Sequence, residues 1–355
     1  MKKITIIVSE SSGGVKTIIN KLIIGLRREG FSVIRINLHG KNRIVRAFED
    51  LKNIKFLRHF DTVIYTGSIP YPSCWFIKGL TKILIFLHGF VVYEIMSVLN
   101  DPCAPLRTKI KSLYLLQSWN LNRLLGCADL YICHSLTTCE MNGIDEDFIL
   151  LPQFIFPEET ESYSKLCSIL TKDGGFSYNE VKIVTYTSAA PRFLEPYYII
   201  KLMISISKRV PSKKIQLLVI DPRAKEGQEE YDNLKVKFIK PLPRHRFLQL
   251  LAQADLYLER CIDEELGLTS IEAVLLGIPV AKLTHPKYVE RQDYKDEVLW
   301  ASSPQKFIDM LSDYVRHLDY WKSYYAKKLQ NFLTTRRSWD YVKIPLLKYI
   351  SLDPS

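Results

Sequence analysis

Short apolar runs that alternate with helical segments constrain the fold of this chain more than any other sequence feature. Ile4–Ser9 reads as a buried strand, and Lys16–Glu29 follows it with apolar residues at the spacing of a helix. Gly30 ends that helix, and the next apolar run begins at Phe31. Brief, nearly continuous apolar strands are typical of parallel sheets covered on both faces. The alternation therefore predicts a doubly wound parallel α/β sheet.

The same alternation restarts after a stretch of different composition. Residues Gln153–Asn179 are rich in Pro, Glu, Ser and Gly, and we interpret them as a hinge between two domains. A chain of 355 residues also exceeds what one hydrophobic core usually supports. We therefore expect an N-terminal domain over 1–165, a C-terminal domain over 166–334 and a terminal helical segment over 335–355, with a ligand cleft between the two domains.

Cysteine content and hydropathy exclude several classes of protein. The seven cysteines form no C-x-x-C pair, and the chain contains no H-E-x-x-H, so we expect neither a metal site nor a disulfide framework. Reduced, buried thiols are typical of cytoplasmic proteins. No apolar stretch reaches the roughly 18–20 residues that a membrane span needs. The predicted location is the cytoplasm, with peripheral attachment to the cytoplasmic membrane face as an option.

Positive charge is concentrated in the first third of the chain. Residues 1–125 contain 19 Lys and Arg but only 7 Asp and Glu. Such a surface attracts anionic lipid or phosphorylated small molecules, and because no RRM-type or helix-turn-helix motif accompanies it, we expect no nucleic acid partner. Arg107–Arg123 combines basic and apolar residues with Tyr114 and Trp119. This segment fits both a helix on an anionic membrane and an ordinary helix that packs on the sheet.

Two glutamates eight positions apart, Glu264 and Glu272, form the most informative pattern. Between them, Gly267 allows a tight turn, and Thr269 or Ser270 can cap the helix that follows. The N-terminus of a helix is well suited to a diphosphate, and the flanking carboxylates can accept hydrogen bonds from sugar and ribose hydroxyls. The same spacing also fits a solvated acidic loop and a glutamate that stabilises the helix dipole.

The segment Ala254–Ala281 resembles the E-x7-E motif of retaining GT-B glycosyltransferases, family 4 in particular. The matching positions are Ala254, Asp255, Glu264, Gly267, Leu268, Glu272, Ala273, Gly277, Pro279 and Val280. The resemblance assigns Glu264 to the donor sugar and Glu272 to the ribose. It also places four backbone positions on the sugar and the diphosphate: Leu266, Gly267, Leu268 and Thr269.

Two further segments resemble the same family. Ser11–Val15 is similar to its GGV loop, which implies that Gly13 and Gly14 face the donor, although a Gly-Gly pair also fits a plain turn between strand and helix. Ile85–Gly89 is similar to the strand that ends in His-Gly beside the reacting carbon. The resemblance therefore makes His88 an active-site candidate, whereas a lone histidine after a strand is usually structural.

One departure concerns the cations that neutralise the leaving diphosphate. Family members follow the first strand of the second domain with G-R and, several residues later, with K-G. Here Thr187–Pro196 offers only Arg192. The loss of one charge-stabilising donor lowers a rate by orders of magnitude. Either Arg192 or Arg260 therefore compensates, with Arg244 or Arg246 as substitutes, or the activity is weak or altered.

The resemblance implies a GT-B fold of two Rossmann-like domains that face a cleft, with a C-terminal helix that packs back on the first domain. It implies a retaining, metal-independent glycosyltransferase that moves a sugar from a nucleoside-diphosphate sugar to a hydroxyl of a lipid-linked or glycan acceptor, with no cofactor besides this donor. The predicted catalytic residues are His88, Glu264, Arg192 and Arg260. Two alternatives stay open: a nucleotide-sugar epimerase of the same shape, and an inactive binding subunit with a degenerate donor site.

Overall fold

The structure is a computed structural model that describes most of the chain. The described residues are 2–8, 14–38, 43–66, 72–87, 126–145, 147–170, 180–186, 196–222, 225–260, 265–291, 294 and 296–352, with single residues between 96 and 120. The chain divides into two compact units, Met1–Pro152 with Val342–Ser355, and Gln153–Tyr341.

The first unit is built on a sheet whose strands all pair in parallel. Its described strands are β1 (Lys3–Val8), β2 (Ser32–Asn37), β3 (Thr62–Thr66), β4 (Lys82–Leu87), β5 (Leu130–Cys133) and β6 (Phe148–Leu150). They lie in the order β2-β1-β3-β4-β5-β6. Its described helices are α1 (Gly14–Arg28), α2 (Arg43–Lys52), α3 (Ile54–Leu57), α4 (Pro72–Ile77) and α5 (Leu136–Met141). Apolar strand residues such as Ile7, Val63 and Ile85 form its core.

The second unit repeats this plan with one antiparallel edge. Its described strands are β7 (Glu180–Tyr186), β8 (Lys214–Ile220), β9 (Gly227–Tyr231), β10 (Leu234–Ile239), β11 (Leu256–Glu259), β12 (Val280–Leu283) and β13 (Leu299–Ala301). They lie in the order β13-β12-β11-β7-β8-β10-β9, and only β9 runs antiparallel to its neighbour. Its described helices are α6 (Pro157–Leu170), α7 (Pro196–Arg209), α8 (Arg244–Ala252), α9 (Leu268–Leu275), α10 (Pro304–Arg316) and α11 (Leu318–Arg336), with a 3-10 turn over Pro286–Arg291. Helix α12 (Trp339–Ser351) begins in the second unit and continues, from Val342, as part of the first. The prediction of two parallel-sheet α/β domains is therefore confirmed.

The stretch that we interpreted as a hinge contains helix α6 instead. Pro157 opens the helix where a missing N–H costs nothing, and the side chain of Glu159 accepts the N–H of Phe156 at 2.9 Å. The helix packs within the second unit, where the Sγ of Cys167 donates to the carbonyl of Leu276 at 3.4 Å. The first unit boundary consequently follows Pro152 rather than residue 165.

The end of the chain returns to the first unit. Residues up to Tyr341 belong to the second unit, where the Trp339 ring lies 5.0 Å from that of Phe154, and Val342–Ser355 belong to the first. In the first unit, the Nζ of Lys343 lies 2.8 Å from a carboxylate oxygen of Glu29. The second boundary thus lies after Tyr341, later than the boundary at 334/335 that the sequence suggested.

The cysteines require one correction. Cys133, at the end of β5, and Cys139, in α5, are joined in a disulfide, whereas the sequence predicted reduced thiols throughout. The helix that follows the strand turns back at once, which brings two residues six positions apart close together. Among the described cysteines, Cys74, Cys127 and Cys167 form no disulfide.

Among the described residues, no helix combines the length and the apolar character that crossing a bilayer requires.

Candidate functional site

The predicted site residues divide into those that the structure describes and those that lie outside the described residues. The second group comprises Gly13, His88, Arg192 and Glu264. Gly14 begins α1, in the turn region after β1. The remaining predicted residues lie together in the second unit, around the connection from β11 to α9: Arg260, Leu266, Gly267, Leu268, Thr269 and Glu272.

Helix α9 begins at the carboxyl end of a parallel strand. Gly267 is its N-cap residue, and the N–H of Ile271 makes the first intrahelical bond, to the carbonyl of Gly267 at 3.1 Å. Leu268 and Thr269 are partly exposed, and within the described part of the chain no acceptor contacts their N–H groups. This helix start can therefore bind an anion through backbone donors.

The carboxylate at the start of α9 belongs to a residue that the sequence interpretation missed. We expected Thr269 or Ser270 to cap the helix, but Gly267 is the N-cap residue and no side chain caps it. Instead, the carboxylate of Glu259 binds this helix start from the end of β11. It accepts the N–H of Gly267 at 3.2 Å, the Oγ–H of Ser270 at 2.6 Å and the N–H of Arg260 at 2.8 Å. A glutamate directly after the apolar run Leu256–Leu258 was the available signal.

Two buried cations hold the loop that precedes α9. Lys282, in β12, donates through Nζ to the backbone carbonyl of Glu265 and contacts the hydroxyl of Tyr294 at 3.2 Å. Arg337, after the end of α11, places Nη2 3.4 Å from a carboxylate oxygen of Glu265. Both the backbone and the side chain of Glu265 are thus fixed within this unit.

Glu272 faces a cation and a phenol from two neighbouring helices. The Nη2 of Arg244, at the start of α8, lies 2.6 Å from its carboxylate and 2.8 Å from the hydroxyl of Tyr163 in α6. Burial, and then the charge of Glu272, raises the pKa of Tyr163 to about 12, so its phenol remains protonated at neutral pH. Glu272 is therefore a carboxylate that Arg244 orients near the start of α9.

The two predicted cations that the structure describes near this helix differ in exposure. The Arg260 residue is only 1% exposed, whereas the side chain of Arg244 is 58% exposed. Of these two cations, Arg244 is consequently the one that a ligand can reach from solvent. Over the described residues, no group of three His, Cys, Asp or Glu side chains is placed to hold a metal ion.

Comparison with known proteins identifies the fold. HepE from Anabaena, solved with UDP and glucose, has a TM-score of 0.62 and 12% identity, over 99% of this chain and 100% of that one. The catalytic domain of starch synthase IV from Arabidopsis thaliana, bound to ADP and acarbose, has a TM-score of 0.63 and 12% identity, over 99% of both chains. Sucrose-phosphate synthase from Thermosynechococcus elongatus has a TM-score of 0.64 and 12% identity, over 98% of both.

These matches define the class of fold. The chain shares the two-domain, parallel-sheet α/β fold of GT-B glycosyltransferases over nearly its whole length, which confirms the fold that the sequence resemblance implied. No protein-family model and no curated protein sequence matches the chain.

Proposed function

We propose that this protein is a retaining, metal-independent glycosyltransferase that moves a sugar from a nucleoside-diphosphate sugar to a hydroxyl acceptor. The observation that carries the proposal is the start of α9, where the N–H groups of Leu268 and Thr269 and the carboxylate of Glu272 lie together at the end of β11. Solved structures of the same fold contain UDP-glucose in HepE and ADP in starch synthase IV.

Each group has a role in this proposal. The amides at the start of α9 bind the diphosphate, Glu272 accepts hydrogen bonds from the ribose, and Glu264 holds the donor sugar. Arg192 and Arg260 offset the charge that develops on the leaving diphosphate, with Arg244 as the exposed substitute. His88, Gly13 and Gly14 line the side of the sugar where the acceptor reacts. Catalysis then consists of positioning and electrostatic stabilisation, and the leaving phosphate accepts the acceptor proton.

Nucleotide binding tests the donor site. We expect UDP, ADP or GDP, alone or as its sugar conjugate, to raise the melting temperature, because a ligand at a hundred times its Kd stabilises a protein by about 2.7 kcal/mol. Glu272→Ala and Glu264→Ala should reduce both that shift and sugar transfer. Unchanged transfer in both variants would contradict the site. Conversion of the free donor to an epimer, or tight binding without turnover on any acceptor, would favour the alternative functions.

For the acceptor, we propose a lipid-linked or glycan precursor reached at an anionic membrane surface on the cytoplasmic face. Leu106, Ile110 and Leu113 are helical and exposed, the first two at 74% and 61%, although an ordinary helix would bury such residues on the sheet. Helices α2 to α4 add a second group of exposed residues that mixes aromatic and basic side chains: Phe48, Lys52, Lys55, Phe56, Arg58, Trp75 and Phe76. This combination is typical of surfaces that bind anionic lipid.

A further inference from the structure

Glu259 binds backbone groups on both sides of the connection from β11 to α9. Its Oε1 accepts the N–H of Arg260, and its Oε2 accepts the N–H of Gly267. Ser270 donates to the same Oε2 from the first turn of α9. One carboxylate therefore ties the end of β11 to the start of α9.

The carboxylate is buried and closely packed. Glu259 is only 3% exposed, and a Cβ atom at position 267 would lie 2.7 Å from its Oε2. Glycine at 267 is thus what allows the carboxylate to reach the backbone so closely. Hydrogen bonds to a charged acceptor are strong, and three of them offset the cost of burying this charge.

Glu265, two residues before Gly267, is held by Lys282 and Arg337, both of which are buried. These cations come from β12 and from the end of α11. Together with Glu259 at the end of β11, three parts of the second unit contact the residues that lead into α9.

We propose that Glu259 is a positioning residue of the donor site, which holds Gly267 and the start of α9 in the binding conformation before the donor arrives. This inference rests on the proposed function, because it takes the start of α9 as the donor contact. Preorganisation raises affinity, since the helix start is not ordered at the expense of binding. The negative charge of the carboxylate acts in the opposite direction on a diphosphate at the helix start. A substitution that removes the charge therefore distinguishes the two effects: UDP affinity falls if preorganisation dominates and rises if charge repulsion dominates.

The test is Glu259→Gln, which keeps the size of the side chain but replaces one acceptor oxygen with an amide NH2 group, a hydrogen-bond donor. We expect faster hydrogen exchange in the peptide that covers residues 265–271, and UDP affinity lower by about tenfold, the effect of one or two lost hydrogen bonds. Asp255→Asn is the matched control. Asp255 is a buried carboxylate near the other end of β11 that accepts the N–H of Lys182 at 2.8 Å. Its substitution should lower the melting temperature without changing exchange in 265–271.

Ser270→Ala removes one of the three hydrogen bonds and serves if Glu259→Gln does not fold. It should change exchange and UDP affinity in the same direction, by a smaller factor. Wild-type exchange rates in 265–271, or UDP affinity equal to or above that of the wild type, would overturn the proposal. If the wild-type protein bound neither UDP nor ADP, the proposed function would fail, while the exchange measurement would still decide whether Glu259 holds the loop.

Discussion

At the scale of single residues, Arg244 is the side chain whose contact with the site most needs testing. Its guanidinium binds Glu272 from a partly exposed position. We expect Arg244→Gln to weaken UDP binding about fivefold, the equivalent of the roughly 1 kcal/mol of a partly exposed ion pair, because Glu272 loses its orientation. Isothermal titration measures this. Lys208→Gln is the control, since Lys208 lies exposed on α7 in the same unit and has no role in the proposed site. Tighter binding by Arg244→Gln would mean that Arg244 competes with the ribose.

A second residue, Asp50, should make the stability of the folded chain depend on pH. Burial raises the pKa of Asp50 from 3.8 to about 6, although the side chain and N–H of Ser73 donate to it and lower that value. The folded chain therefore holds this proton more tightly than the unfolded chain. Asp50 should add stability as the pH falls from about 6 to about 4, and this contribution should be lost above pH 6, with an amplitude of about 3 kcal/mol.

Asp50→Asn should remove that component of the stability profile. Urea unfolding of the variant and the wild type between pH 4 and 7.5 measures the difference in unfolding free energy. Asp61→Asn is the control, because Asp61 is an exposed carboxylate in the same unit that also accepts a backbone N–H, from Lys3. Parallel curves for the wild type and Asp50→Asn would contradict the assignment.

At the scale of elements, the junction between β11 and α9 depends on the absence of a side chain at Gly267. Its backbone φ is −66°, which any residue adopts, so the only obstacle to Gly267→Ala is the carboxylate of Glu259. We expect a loss of about 1–2 kcal/mol in unfolding free energy, typical of overpacking, together with weaker UDP binding.

Gly227→Ala provides the comparison in the same unit. A Cβ there would meet only the carbonyl of Lys225, at an ordinary 4.0 Å. Chemical denaturation of both variants should therefore show a loss for Gly267→Ala that Gly227→Ala lacks. Equal losses of unfolding free energy in the two variants would mean that the contact with Glu259 does not cause the destabilisation.

The elements that can be predicted from the sequence are those whose buried residues form a local apolar pattern. The apolar run Ile4–Ser9 predicts a strand, and the structure has β1 over Lys3–Val8. The strand Gly227–Tyr231 has the polar sequence Gly-Gln-Glu-Glu-Tyr, and the sequence analysis does not predict it. An edge strand needs backbone pairing but no buried face, so it shows no apolar pattern. Similarly, the contact of Arg244 with Glu272 joins separate helices, so no sequence spacing could reveal it.

At the scale of the whole molecule, the excess of positive charge in residues 1–125 predicts binding to anionic membranes. We expect sedimentation with vesicles that contain anionic lipid, not with neutral vesicles, and weaker binding at high salt, because each basic residue near the surface contributes about 1 kcal/mol. The double substitution Leu106→Ser and Ile110→Ser should reduce binding without changing UDP affinity. Equal sedimentation with both kinds of vesicle would remove the membrane from the proposal.

The division of the chain at Pro152 and again at Tyr341 has a consequence for its synthesis. The first unit includes Val342–Ser355, and the backbone carbonyl of Ser351 accepts a hydrogen bond from Lys2 at 2.8 Å. A ribosome that adds 5–20 residues per second needs roughly ten to forty seconds to make residues 153–341. Throughout that interval the nascent first unit lacks its last helix, so the half that is translated first is completed last.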